Sequence, residues 1–113
     1  MQLESKNLPG NVTQLVLTGR LDFDGAEAIE KDFAAAAAEH RALVVVDLSG
    51  VTFLSSIGMR LFIKSARAQK SRGGKLVLAA PQPLVRKVLE TTGIDKVIPL
   101  SSDVESARAS IAE

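Results

Sequence analysis

At 113 residues, 46% hydrophobic and 24% charged, with no Cys and one His, the chain is one domain's length with a core to bury. That usage excludes disulfides and thiolate chemistry and argues against a structural zinc site. No apolar run approaches the ~18 residues of a membrane span and the polar start, Met1 to Lys6, is no signal peptide, so the expected compartment is the cytoplasm, without membrane insertion.

The net charge of +1 hides an asymmetry. Residues 1–40 hold seven acidic and three basic groups, and residues 41–113 hold six and eleven. Such a distribution can orient a protein partner. Nucleic acid is not expected, because the four aromatics are all Phe and no basic cluster interleaves with them.

In chain order, Leu3–Asn7 reads as a short edge strand and Leu8-Pro9-Gly10-Asn11 as a turn. Val12–Thr18 is a second strand, forming a hairpin with the first, and Gly19-Arg20-Leu21-Asp22 its exit loop. Asp24 with Glu27 resembles a capping box opening a helix through Ala26, Ile29 and Phe33 into the alanine run 34–38. Ala42-Leu43-Val44-Val45-Val46, a β-branched run ending in Asp47-Leu48-Ser49, reads as a strand buried on both faces of a parallel sheet.

After Gly50 and Val51-Thr52-Phe53-Leu54, Ser55-Ser56-Ile57-Gly58 opens a helix reaching about Arg72. Its buried face is expected to carry Ile57, Leu61, Phe62, Ala66 and Ala68. Arg60, Lys64, Arg67 and Ser71 form a polar stripe, either a solvated face or a partner-facing one. Gly73-Gly74 precedes a strand over Lys75–Ala80. Pro83 suits a first helical position, with an apolar stripe Leu84, Val85, Val88, Leu89 and a stop at Gly93. Val97-Ile98 reads as a last short strand. Ser102 with Glu105 is a capping box for a closing helix whose apolar face is Val104, Ala107 and Ile111, leaving Arg108 for solvent. The order β-β-α-β-α-β-α-β-α implies one α/β domain over residues 1–113. Its sheet is mixed and mostly parallel, with right-handed crossovers, an N-terminal antiparallel edge hairpin and about four helices.

Two hydroxyls thus stand at a helix entrance beyond a core strand, where unpaired N–H groups and the helix dipole favour an anion. Ser55 and Ser56 are candidate N-caps, and candidate phosphorylation sites that would change what a docked partner meets. Serine catalysis is disfavoured: the one His, His40, precedes the central strand at its opposite end, and no G-x-S-x-G elbow exists. No nucleotide-binding glycine loop is present. Asp22, Asp24 and Asp47 suit caps and turns better than a shared metal, so neither a metal nor a cofactor is expected.

These residues resemble the STAS domain family, in particular the bacterial anti-sigma factor antagonists. The resemblance is carried by Leu17-Thr18-Gly19-Arg20-Leu21-Asp22, by Val46 through Gly58, by Gly73-Gly74-Lys75-Leu76-Val77-Leu78, and by Leu89-Glu90-Thr91-Thr92-Gly93-Ile94, in the family's order. It implies a partner-switching protein, not an enzyme. Such a protein binds an anti-sigma factor that is also a serine kinase, is released when that kinase phosphorylates it, and is restored by a metal-dependent Ser/Thr phosphatase. The family pattern Asp-Ser-Ser/Thr-Gly, counted back from Gly58, puts the acceptor on Ser56. Ser55 stands where the family has Asp, and Ile57 where it has a hydroxyl residue, which makes Ser55 an alternative acceptor. The docking surface expected from the resemblance comprises Asp22, Asp24, Ser55, Ile57, Gly58 and Met59, with Arg60 and Lys64 at its rim. The alternative is a constitutive STAS subunit of a stressosome-like, secretion, chemosensory or lipid-transporter complex.

Overall fold

Strand and helix alternate as expected in the computed structural model, which describes residues 1–38 and 40–113. The order is β1 (Gln2–Leu8), β2 (Val12–Leu21), α1 (Phe23–Ala37), β3 (Leu43–Leu54), α2 (Ser56–Ser71), β4 (Lys75–Ala79), α3 (Pro83–Thr92), β5 (Leu100–Ser101) and α4 (Val104–Ile111), with a 3-10 turn, Ile94–Lys96, after α3. The sheet order is β1-β2-β3-β4-β5; β1 and β2 pair antiparallel and every later pair is parallel. This is the mixed, mostly parallel sheet expected, with its antiparallel hairpin at one edge.

Crossovers of one hand that step through the sheet in sequence order put their helices on one face. Accordingly, α1, α2 and α3 share a core with Leu15, Leu17, Val44, Val46, Leu48, Val51, Leu76 and Leu78. The alternate residues Val12, Leu43, Val45, Val77 and Ala79 face the other way, against Ala107 and Ile111 of α4. Within the larger core, Phe33 of α1 meets Phe62 of α2 with ring centroids 5.8 Å apart.

Several local expectations are corrected. Strands β2 and β3 run on past Thr18 and Ser49, because they pair with each other up to Leu21 and Leu54, with two register shifts. Beyond Asp47, β3 has no partner in β4, so this pair projects as a ribbon past the rest of the sheet. The cap of α1 is Asp22, not Asp24. The cap of α4 is Asp103, not Ser102: its carboxylate accepts both the N–H and the hydroxyl of Ser106, two donors for a charged acceptor. The last strand is Leu100–Ser101 instead of Val97-Ile98, whose backbone is taken up by the turn onto Ile94 while Ile98 plugs the core.

Side-chain placements also differ from expectation. Leu84 is 76% exposed, so the α3 stripe is Val85 and Leu89 with Val88 at its edge. Arg108 is held by Glu105 and by the Pro9 carbonyl instead of facing solvent freely. Asp47 is buried within β3, where it accepts from Gln14 Nε2 and the Ser49 N–H, each at 2.9 Å, so it is no turn residue. The buried side of α2 includes Ser65 and Gln69. Gln69 is fully buried and clamps the start of β3, accepting from the Ala42 N–H at 2.7 Å and donating to the His40 carbonyl.

Candidate functional site

The site is built on the projecting ribbon. Leu21 and Leu54 are register partners, and the next residue of each strand, Asp22 and Ser55, caps the helix that follows. Two helices therefore start side by side. The Leu21 carbonyl fixes this junction by accepting from both the Ser55 N–H at 2.9 Å and the Ser55 hydroxyl at 2.8 Å. Ser55 Oγ in turn accepts from the Gly58 N–H at 3.3 Å. Ser55 is thus engaged as donor and acceptor, whereas Ser56 is exposed in the first turn of α2. With the Gly58 and Met59 amides bonded to Ser55, those of Ser56 and Ile57 remain for water or an anion.

Asp22 is held on its own side of the junction. Its carboxylate accepts from the Gly25 N–H at 2.9 Å and lies 3.5 Å from the Arg20 guanidinium, and both lower its pKa below the ordinary carboxylate value, the Gly25 bond more strongly. The same guanidinium sits 4.4 Å over the Phe53 ring, a cation–π contact at the ribbon's exposed tip.

The other expected site residues separate into two groups. Gly58 is buried, and a Cβ there would come within 2.6 Å of Leu21 Cγ and 3.0 Å of Leu54 Cδ1, so its missing side chain serves the helix's seat on the ribbon. Met59 packs at the edge of the core, its sulfur 3.6 Å from Thr92 Oγ1. Asp24, Ser56, Arg60 and Lys64 are exposed. Ile57, Arg60 and Lys64 come together with Phe23, Ala26, Glu27, Glu30 and Leu61 in a groove of about 260 Å³ between α1 and α2. The sequence placed none of Phe23, Glu27, Glu30 and Thr92 at the site, Glu27 entering only as a capping-box partner and Thr92 only in the family resemblance. The signal for the first three was there: Glu27 and Glu30 lie off the Ala26-Ile29-Phe33 stripe, and Phe23 is an apolar residue at a helix start, 60% exposed.

His40 is exposed before β3 and Ser56 follows its far end, so that imidazole does not stand beside the hydroxyl. Among the described residues no group of three His, Asp or Glu is placed to hold a metal, and no helix is long and apolar enough to cross a membrane.

The family model described as "Mlab, STAS domain" matches residues 5–100. The chain belongs to the STAS domain family. BtrV of Bordetella bronchiseptica, a candidate anti-sigma factor antagonist, is 32% identical to this STAS domain over 93 residues, covering 82% of this chain and 80% of BtrV. The crystal structure of an anti-sigma factor antagonist from Mycobacterium paratuberculosis matches it with a TM-score of 0.86 at 26% identity, over 97% of this chain and 92% of that one. SpoIIAA of Bacillus, solved both unphosphorylated and phosphorylated, shares the fold with TM-scores of 0.77 and 0.71 at 20% identity over 96% of this chain, and over 96% and 98% of those chains. Relatives of this STAS domain thus include anti-sigma factor antagonists.

Proposed function

We propose that this STAS domain is a phosphorylation-switched binding module: unphosphorylated, it binds an anti-sigma factor that is also a serine kinase; phosphorylated on Ser56, it lets that partner go. The observation that carries the reading is the division of labour between the two hydroxyls. Ser55 is bonded to Leu21 and Gly58, while Ser56 one residue on is exposed and bonds neither. A kinase reaches Ser56 without disturbing the cap. The added phosphate brings roughly −1.5 to −2 charges to the dipole-favoured end of the helix, so the fold tolerates it and the docked partner does not. Asp24, Ile57, Arg60 and Lys64 form the contact surface, and Asp22, Ser55, Gly58 and Met59 hold it in place. A metal-dependent Ser/Thr phosphatase resets the switch.

Calorimetry with the cognate anti-sigma kinase tests this. The unphosphorylated chain should bind at least tenfold more tightly than the Ser56-phosphorylated chain or Ser56→Asp; equal affinities would overturn the switch. The second reading, a constitutive STAS subunit, is favoured by one observation: the position before Ser56, where the family pattern has Asp, is Ser55, whose hydroxyl is bonded to Leu21 and Gly58. It predicts a stable complex that Ser56 phosphorylation leaves intact.

A further inference from the structure

The groove between α1 and α2 has two walls of opposite sign. Glu27 and Glu30 line the α1 side, Arg60 and Lys64 the α2 side, and Ala26, Ile57 and Leu61 lie between them with Phe23 at the end. None of these four charges makes an ion pair among the described residues, although they border one cavity of about 260 Å³. No ion pair joins the two walls among the described residues, so an occupant between them can pair with both. From Phe23 to Glu30 and from Ile57 to Lys64 the groove covers two helical turns, about 10 Å at ~1.5 Å per residue.

The geometry points to a protein partner's amphipathic helix as the occupant, with an apolar stripe on Ala26, Ile57 and Leu61, basic residues along the α1 flank and acidic residues along the α2 flank. A third helix nests between two neighbours through one apolar stripe and presents a polar flank to each side. An extended strand has only two faces. It can fill the apolar floor or line the two walls, but not supply a floor row and two lateral rows of opposite charge at once. Direction follows from the dipoles: α1 and α2 both begin at the Ser56 end, so an antiparallel helix brings its negative C-terminal end there. A phosphate on Ser56 then repels that helix end. This inference rests on the proposed docking at Ser56 and names the chemistry of the segment that docks.

The test uses the isotope-labelled full chain and three synthetic helical peptides sharing one leucine stripe. One carries Lys on one flank and Glu on the other, one Lys on both, and one Glu on both. The mixed peptide should bind at least tenfold more tightly than either uniform one and should shift the amides of Ala26, Glu30, Ile57 and Leu61. A spin label at its C-terminus should broaden the Ser56 amide. In Arg60→Glu/Lys64→Glu, whose groove is acidic on both walls, preference should pass to the all-Lys peptide. Affinity that merely follows peptide charge in the wild-type chain, shifts outside the groove, or occupation by zwitterionic amino acids with no mixed-peptide binding would overturn the inference. Kinase binding that Ser56 phosphorylation abolishes, with no peptide preference, would remove the groove and leave the switch standing; peptide binding with a kinase indifferent to Ser56 would do the reverse.

Discussion

Neighbouring serines do different work at the start of α2. Ser55 bridges the Leu21 carbonyl and the Gly58 N–H, so Ser55→Ala loses a cap and should cost about 1 kcal/mol in urea unfolding. Exposed Ser56 makes neither bond, and Ser56→Ala should stay within about 0.5 kcal/mol of wild type. The opposite order would mean that Ser56 is the cap. Once phosphorylated, Ser56 faces Arg60 one turn on, a cation at i, i+4 that makes no ion pair among the described residues. Phosphorus NMR of the phosphorylated chain should show the second phosphate pKa below its ordinary value of about 6, and Arg60→Gln should return it there; no change in Arg60→Gln would deny the pair. Sequence showed two hydroxyls at a helix mouth but not which was the cap. That choice is made by Leu21, 34 residues away from Ser55, through a contact no local pattern carries.

Helix α2 shows what periodicity conveys and what it hides. The spacing of Leu61 and Phe62 marked the buried face, while Ser65 and Gln69 on the same face were invisible because polarity argues against burial. Gln69 nonetheless ties α2 to the start of β3. Gln69→Leu leaves the Ala42 N–H and the His40 carbonyl without this partner and should cost about 1–3 kcal/mol. Gly58→Ala pushes a methyl into Leu21 and should cost about 1–3 kcal/mol, measured the same way. Strand ends were the least legible feature. The extra residues of β2 and β3 are strand only because the two pair with each other, and β5 follows Pro99 because the turn at Ile94–Lys96 takes up Val97 and Ile98.

Across the whole molecule, the charge asymmetry along the chain becomes a spatial one, with the acidic wall on α1 and the basic wall on α2. The parallel order and the two helix starts at one end were legible from alternation alone. The groove was not, since it needs Glu27 and Arg60, far apart in sequence, to border one cleft. Acid stability has a molecule-wide origin too. Asp22, Asp103, Glu105 and Glu113 have pKa values lowered, chiefly by the Gly25 N–H, the Ser106 N–H, the Arg108 guanidinium and the Asn11 amide respectively. A lowered folded-state pKa gives stability that is present above the ordinary carboxyl range and lost as pH falls through the depressed value. Urea midpoints should therefore hold above about pH 5 and fall below about pH 4. Asp22→Asn keeps a good cap without the charge, so its acid limb should be shallower than wild type; an unchanged limb would take Asp22 out of the acid response.

The central claim is that Ser56 is the switch, and site-resolved mass spectrometry after incubation with ATP and the serine kinases of the native extract tests it most directly. A single phosphate on Ser56 is the predicted result. A phosphate on Ser55, or none while those kinases modify other substrates, would contradict it.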